Sequence, residues 1–142
     1  MRDHSLDVER DEAIRTIDRF FPHRAWAWER DASAGPYSAA RFCERQAATS
    51  DGLVLILADE LTPITKREYH AARRAGVPRY ILIRDGSLHD PPTDAFITRE
   101  RKRVVTRRFR NPTELRTHIR ESLAARILYV SRAEQLTTRG DR

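Results

Sequence analysis

Ser50-Asp51-Gly52-Leu53-Val54-Leu55-Ile56-Leu57-Ala58-Asp59 is followed, one short loop later, by Thr65-Lys66-Arg67-Glu68-Tyr69-His70-Ala71-Ala72-Arg73-Arg74-Ala75-Gly76-Val77-Pro78. The run Leu53–Ala58 is apolar without a polar alternate, as in a central parallel strand covered on both faces. Asp59 to Ile64, with Pro63 inside it, reads as the loop after that strand. Thr65 and Glu68 have capping-box spacing, which predicts a helix from Thr65 through Ala75, closed by Gly76 and Pro78. A buried strand feeding a helix that returns to another apolar run, Tyr80-Ile81-Leu82-Ile83, is the βαβ signature.

Working outward, Arg79–Arg84 is the next predicted strand, and Asp85-Gly86 opens a loop containing Pro91 and Pro92. Thr93 is predicted to cap a helix to about Arg103, and Val104–Phe109 to form a further strand. Asn111-Pro112-Thr113-Glu114 is a second capping box, with proline at the first helical position. Behind it Leu115, Ile119, Leu123, Ile127 and Val130 form one apolar stripe. Upstream, residues 5–21 read as a helix stopped by Pro22, and residues 24–29 as a strand with Trp26 and Trp28 on one face. A helix is expected over 38–49, with Ala40, Cys43 and Ala47 on one side. The expected architecture is a three-layer, flavodoxin-like α/β fold with four parallel strands. Residues 1–131 form a single domain and residues 132–142 a flexible tail. The usual first strand is missing, because the pattern opens on a helix. An upstream start, weak pairing by residues 1–5, or a second chain would each account for it. An unpaired inner edge is a liability, so self-association or a partner protein is expected.

Composition narrows the class. The chain has 142 residues, 39% apolar and 34% charged, the size and balance of one globular domain. Leu53–Ala58 is the longest apolar run, far short of the roughly 18 residues of a membrane span, and no apolar stretch follows Met1 as in a secretory signal. The single cysteine, Cys43, excludes an internal disulfide framework and points to a reducing cytoplasm. Residues 1–98 carry a net charge of −2 and residues 99–142 a net charge of +8. That excess centres on Arg99–Arg110 and has two readings, an anionic partner such as nucleic acid or a solvated helix end and strand edge. Since 25 of the 27 basic residues are arginine, a compositional bias accounts for the run, and nucleic acid is not expected as a partner.

In open parallel α/β sheets ligands sit beyond the carboxyl ends of the strands. That rule selects Glu29, Asp59, Glu60, Asp85 and Glu68, five carboxylates on one rim. The competing readings are structural: Glu68 as the capping partner of Thr65, Asp85 as a turn residue before Gly86, Asp59 and Glu60 as solvated loop charges. The glycines form no dinucleotide fingerprint or phosphate-binding loop. No Gly-x-Ser-x-Gly elbow exists, and the histidines have no metal-ligand spacing, so no metal and no cofactor are expected. Cys43 reads as core. Trp26 and Trp28 read as packing residues, with base stacking the alternative.

The segments Ser50–Asp59 and Thr65–Pro78 resemble the nucleoside 2-deoxyribosyltransferase-like and TIR-like superfamily. There an Asp precedes a central apolar strand, followed by Thr-x-x-Glu and an alanine-rich helix ending in Gly-x-Pro. The closest likeness is to a domain of unknown function at the N-terminus of bacterial STAND-type signalling ATPases. Its opening resembles Ser5–Ala13, and the end of its second strand resembles Trp28-Glu29. The resemblance covers residues 5–128. It implies that Glu68 is the carboxylate acting at the anomeric carbon of a nucleoside, nucleotide or NAD-like substrate, in cleavage or transfer of the N-glycosidic bond. Asp59 assists, and Glu29, Trp28, Glu60 and Asp85 line the pocket. An oxocarbenium-like transition state needs such paired carboxylates. Two departures stand out: the family's opening strand has no counterpart, and Pro63-Ile64 replaces the glycine before Thr-x-x-Glu. The alternative is a non-catalytic TIR-like assembly module.

Overall fold

The structure is a computed structural model that describes residues 6–140. The suggestion that residues 1–5 pair with the sheet lies outside the described residues. Three parallel strands, β1 (Leu53–Leu57), β2 (Arg79–Arg84) and β3 (Thr106–Phe109), form one sheet in the order β1-β2-β3. The register places Leu55 opposite Ile81 and Ile81 opposite Thr106. Helices α1 (Asp7–Arg19) and α6 (Pro112–Gly140) cover one face, α4 (Pro63–Arg74) and α5 (Pro91–Glu100) the other, and α3 (Ala39–Thr49) packs beside α4. A four-residue helix, α2 (Trp28–Asp31), lies between α1 and α3.

The strand sequences dictate the two faces. Side chains alternate along a strand. Leu55, Leu57, Ile81 and Ile83 therefore meet Tyr69, Phe96 and Ile97 on the α4–α5 side. Leu82 and Phe109 meet Ala13, Leu115 and Ile119 on the α1–α6 side, with Val54 and Ile56 against them. Leu57, Ile81, Ile83, Phe109 and Leu115 are essentially fully buried, each contributing roughly 1.5–3 kcal/mol of transfer free energy. The mixed α/β class with a flavodoxin-like parallel sheet is as the sequence reading has it.

The strand count within that class is corrected from four to three. Residues 24–27 are extended but pair with no strand, and a helical turn begins at Trp28. Side chains take the backbone groups that a ladder would use. Ala25 N–H donates to Asp18 Oδ1 and Ala27 N–H to Asp31 Oδ2, both at 2.8 Å. The Arg30 guanidinium donates to the Ala25 carbonyl. Among the described residues no strand lies on the outer edge of β1.

Two helix starts are also corrected. Thr62, not Thr65, caps α4: its Oγ1 accepts from Thr65 N–H at 3.3 Å, with Pro63 at the first helical position. Asp90, not Thr93, caps α5, accepting from Thr93 N–H at 2.8 Å ahead of Pro91. Asn111 caps α6 as expected, accepting from Glu114 N–H at 2.8 Å, but Glu114 turns its carboxylate to Arg110 instead of back to the cap. At its other end α4 stops as the sequence requires. Gly76 has φ +73°, and Val77 N–H reaches back to the Ala72 carbonyl at 2.9 Å. Helix α6 runs without a break past residue 131 to Gly140, so the segment 132–140, read as a tail, is helical and exposed.

Candidate functional site

Because α4 starts at Pro63, Glu68 stands in its second turn and not its first. That removes it from the capping role and from most of the helix-dipole field, which fades beyond the first turn. The side chain is half-buried and faces α3, where it interacts with the Cys43 thiol. Burial raises the Glu68 pKa above the ordinary 4.5; the thiol and the Arg10 charge pull it down, and the charges of Glu29 and Glu44 push it up. Burial, together with the Glu68 charge, pushes the Cys43 thiol up to about 11, so it is a thiol and not a thiolate at neutral pH.

Glu29 reaches this neighbourhood from α2. It pairs with Arg10 of α1, whose Nη2 lies 3.3 and 3.4 Å from its two carboxylate oxygens. Arg10 and Glu29 are each more than a third exposed, so the pair is a positional tie and adds little stability. Glu44 of α3 is ion-paired with Arg67 of α4. The position of α2 is set by Asp31. It accepts from Ala27 N–H and pairs with Arg24 at 2.7 Å and Arg30 at 3.1 Å, contacts that hold its pKa below the ordinary value.

An aromatic group joins α2 to α3. Trp26, Trp28 and Phe42 form a triangle with centroid separations of 6.5, 6.0 and 6.1 Å. Trp28 and Glu29 are sequence neighbours, as are Phe42 and Cys43, so one backbone segment from α2 and one from α3 deliver both an aromatic and a polar group. Trp28 keeps 40% of its surface exposed, which leaves an indole available for stacking on a planar ring.

The remaining rim carboxylates take other places. Asp59 Oδ1 accepts from Leu88 N–H at 2.9 Å and its carbonyl from Asp90 N–H at 3.2 Å, tying the loop after β1 to the loop after β2. Asp85 continues the ladder through its N–H to the Phe109 carbonyl, and its carboxylate lies 3.6 Å from Arg108. Glu60 is exposed. The structure thus brings Glu29 within electrostatic reach of Glu68, sets Trp28 against Phe42, and places Asp59 and Asp85 in loop and strand-end contacts. Arg10, Cys43 and Glu44 were not among the sequence candidates. Cys43 lies on the α3 stripe with Ala47 that faces α4, and that stripe was the available signal for a Glu68 partner.

Among the described residues no three His, Cys, Asp or Glu side chains are grouped to hold a metal ion, and no helix is long and apolar enough to cross a membrane. No curated protein matches the chain, and no solved structure does. The family model of the domain of unknown function DUF4062 matches residues 4–124. That span takes in the sheet, all five preceding helices and the buried part of α6, and the chain belongs to the DUF4062 family.

Proposed function

We propose that the protein cleaves or transfers the N-glycosidic bond of a nucleoside or nucleotide, with Glu68 as the reacting carboxyl. The single observation that carries this reading is the half-buried Glu68, whose pKa burial raises above the ordinary value, with the charge of a second carboxylate, Glu29, acting on it. Two carboxyls in unlike environments are how acid and base roles are divided at one centre. Glu68 gives its proton to the departing base nitrogen as the C1′–N bond breaks and its electron pair leaves with the base. Water, or an acceptor hydroxyl, adds at C1′ of the oxocarbenium-like sugar and passes its proton to a carboxylate. Glu29, held by Arg10, takes that second task in this reading, and Trp28 stacks on the base. A protonated acid helps a base that departs as an anion; nicotinamide departs neutral, so NAD-like substrates gain less. Asp59, Glu60 and Asp85 shape the neighbouring loops.

The test is turnover. The whole chain is incubated with nucleosides, nucleoside monophosphates, NAD and NADP, and free base is followed by chromatography beside a Glu68→Gln variant. Base release at least about 100-fold slower in the variant is the expected result. Release equal in both proteins, or none from either, rejects the reading.

One observation favours an assembly role as a second reading. Among the described residues β1 has an outer edge that no strand covers, and open edges recruit further chains. This TIR-like assembly reading expects a dimer whose population grows with concentration in light scattering. A monomer at all concentrations rejects it.

A further inference from the structure

The basic run that opens residues 99–110 does not form one patch. In its second half Arg108 lies 3.6 Å from Asp85 and Arg110 pairs with Glu114, so each of these two cations faces a carboxylate of its own. The first half of the run lies at the opposite end of the sheet, where α5 ends and β2 begins, and there it meets Arg73 of α4. Arg73 Nη1, Arg103 Nη1 and Arg99 Nε lie 3.5, 3.6 and 3.8 Å from one atom, Glu100 Oε1. Glu100 is fully buried. Its other oxygen accepts from Tyr69 O–H at 2.9 Å, and Arg79 Nε donates to that same hydroxyl at 3.2 Å.

The three guanidiniums are drawn to Glu100 by charge, yet Oε1 has no hydrogen-bond partner. Their own N–H donors are therefore unspent on it, and their side chains stay 35%, 42% and 47% exposed. A single buried carboxylate thus has three cations within 3.8 Å of one of its oxygens and neutralises only one of them. Arg101 and Lys102, both exposed, continue the same edge. Guanidinium forks with free donors, gathered around a net positive centre, match the oxygens and the multiple charge of phosphate groups.

We propose that Arg73, Arg99 and Arg103, braced by buried Glu100, form a binding site for a ligand carrying several phosphate groups, at the end of the sheet opposite the Asp59–Asp85 rim. Two sources share this chemistry, a free polyphosphate and the backbone of a nucleic acid. The site is independent of the reaction assigned to Glu68.

The experiment titrates the whole chain with inorganic tripolyphosphate by calorimetry, and with a labelled single-stranded oligonucleotide by fluorescence anisotropy, at about 50 and about 200 mM salt. The expected result is binding that weakens with salt. Binding falls about tenfold or more in Arg99→Gln/Arg103→Gln and less than about threefold in Arg108→Gln/Arg110→Gln, which removes the same charge from the same run. Circular dichroism establishes that both variants are folded. Arg99→Lys/Arg103→Lys keeps the charge without the fork and is expected to bind at an intermediate level. Tripolyphosphate binding alone identifies the free-polyphosphate source; oligonucleotide binding with a steep salt slope identifies the backbone source. No binding of either probe at low salt, or equal losses in the two glutamine variants, overturns the proposal.

Discussion

The Cys43 thiol of α3 acts on the Glu68 carboxyl of α4, and that carboxyl is half-buried where α3 packs beside α4. The consequence for stability has a definite sign. Burial raises the folded-state pKa of Glu68 above 4.5. The folded state then holds its proton more tightly than the unfolded state does. The stability contributed by the protonated carboxyl is full below the unfolded value and is lost as pH rises through the folded value. Glu68→Gln mimics the protonated form at every pH. Thermal unfolding of the two proteins is expected to coincide near pH 4 and to separate above it, the variant melting higher at neutral pH. A variant that melts lower at neutral pH contradicts this.

Asp31 acts in the opposite direction. Its pKa is held below 3.8, chiefly by the Ala27 N–H bond and then by Arg30. The order it gives to α2 is present above the unfolded pKa and is lost as pH falls through the lower folded value. The chain has two tryptophans, Trp26 just before α2 and Trp28 as its first residue. Their fluorescence is expected to change on acidification below the ordinary aspartate range, before global unfolding. In Asp31→Asn it should resemble the acid form already at neutral pH. An Asp31→Asn spectrum identical to that of the parent at neutral pH overturns the role given to Asp31.

The cap of α4 discriminates between the two candidate threonines. Thr62 Oγ1 accepts from Thr65 N–H, while the Thr65 hydroxyl only receives the Thr62 O–H at 2.9 Å. Thr62→Ala is expected to cost about 1 kcal/mol in denaturant unfolding, and Thr65→Ala clearly less. Equal costs, or the reverse order, restore Thr65 as the cap.

These cases show which features of the sequence were readable. Strands β1 and β2 were legible because Leu53–Ala58 and Tyr80–Ile83 are apolar on both faces, a pattern few other structures need. The start of α6 was read correctly from Asn111-Pro112. The same rule, a capping side chain just before proline, also governs Thr62-Pro63 and Asp90-Pro91, where Thr-x-x-Glu spacing and Thr93 drew attention one turn too far along. The strand expected over 24–29 failed for a long-range reason. Asp18 and Asp31 take the backbone donors of Ala25 and Ala27, and alternation around Trp26 does not reveal such side-chain competition. Glu68 was found from its place after β1, but its partners were not. Cys43, Glu44 and Arg10 meet it only because α3 packs beside α4 and α2 lies against α1.

The most direct test of the role given to Glu68 is its own titration, followed by carbon-13 NMR of selectively labelled glutamate carboxyls with Glu68→Gln for assignment. The expected midpoint lies above 4.5 and rises further when Cys43→Ala removes the thiol, whose interaction favours the carboxylate. A midpoint at or below 4.5, insensitive to Cys43, would mean a solvated surface glutamate and would remove the acid from the proposed reaction.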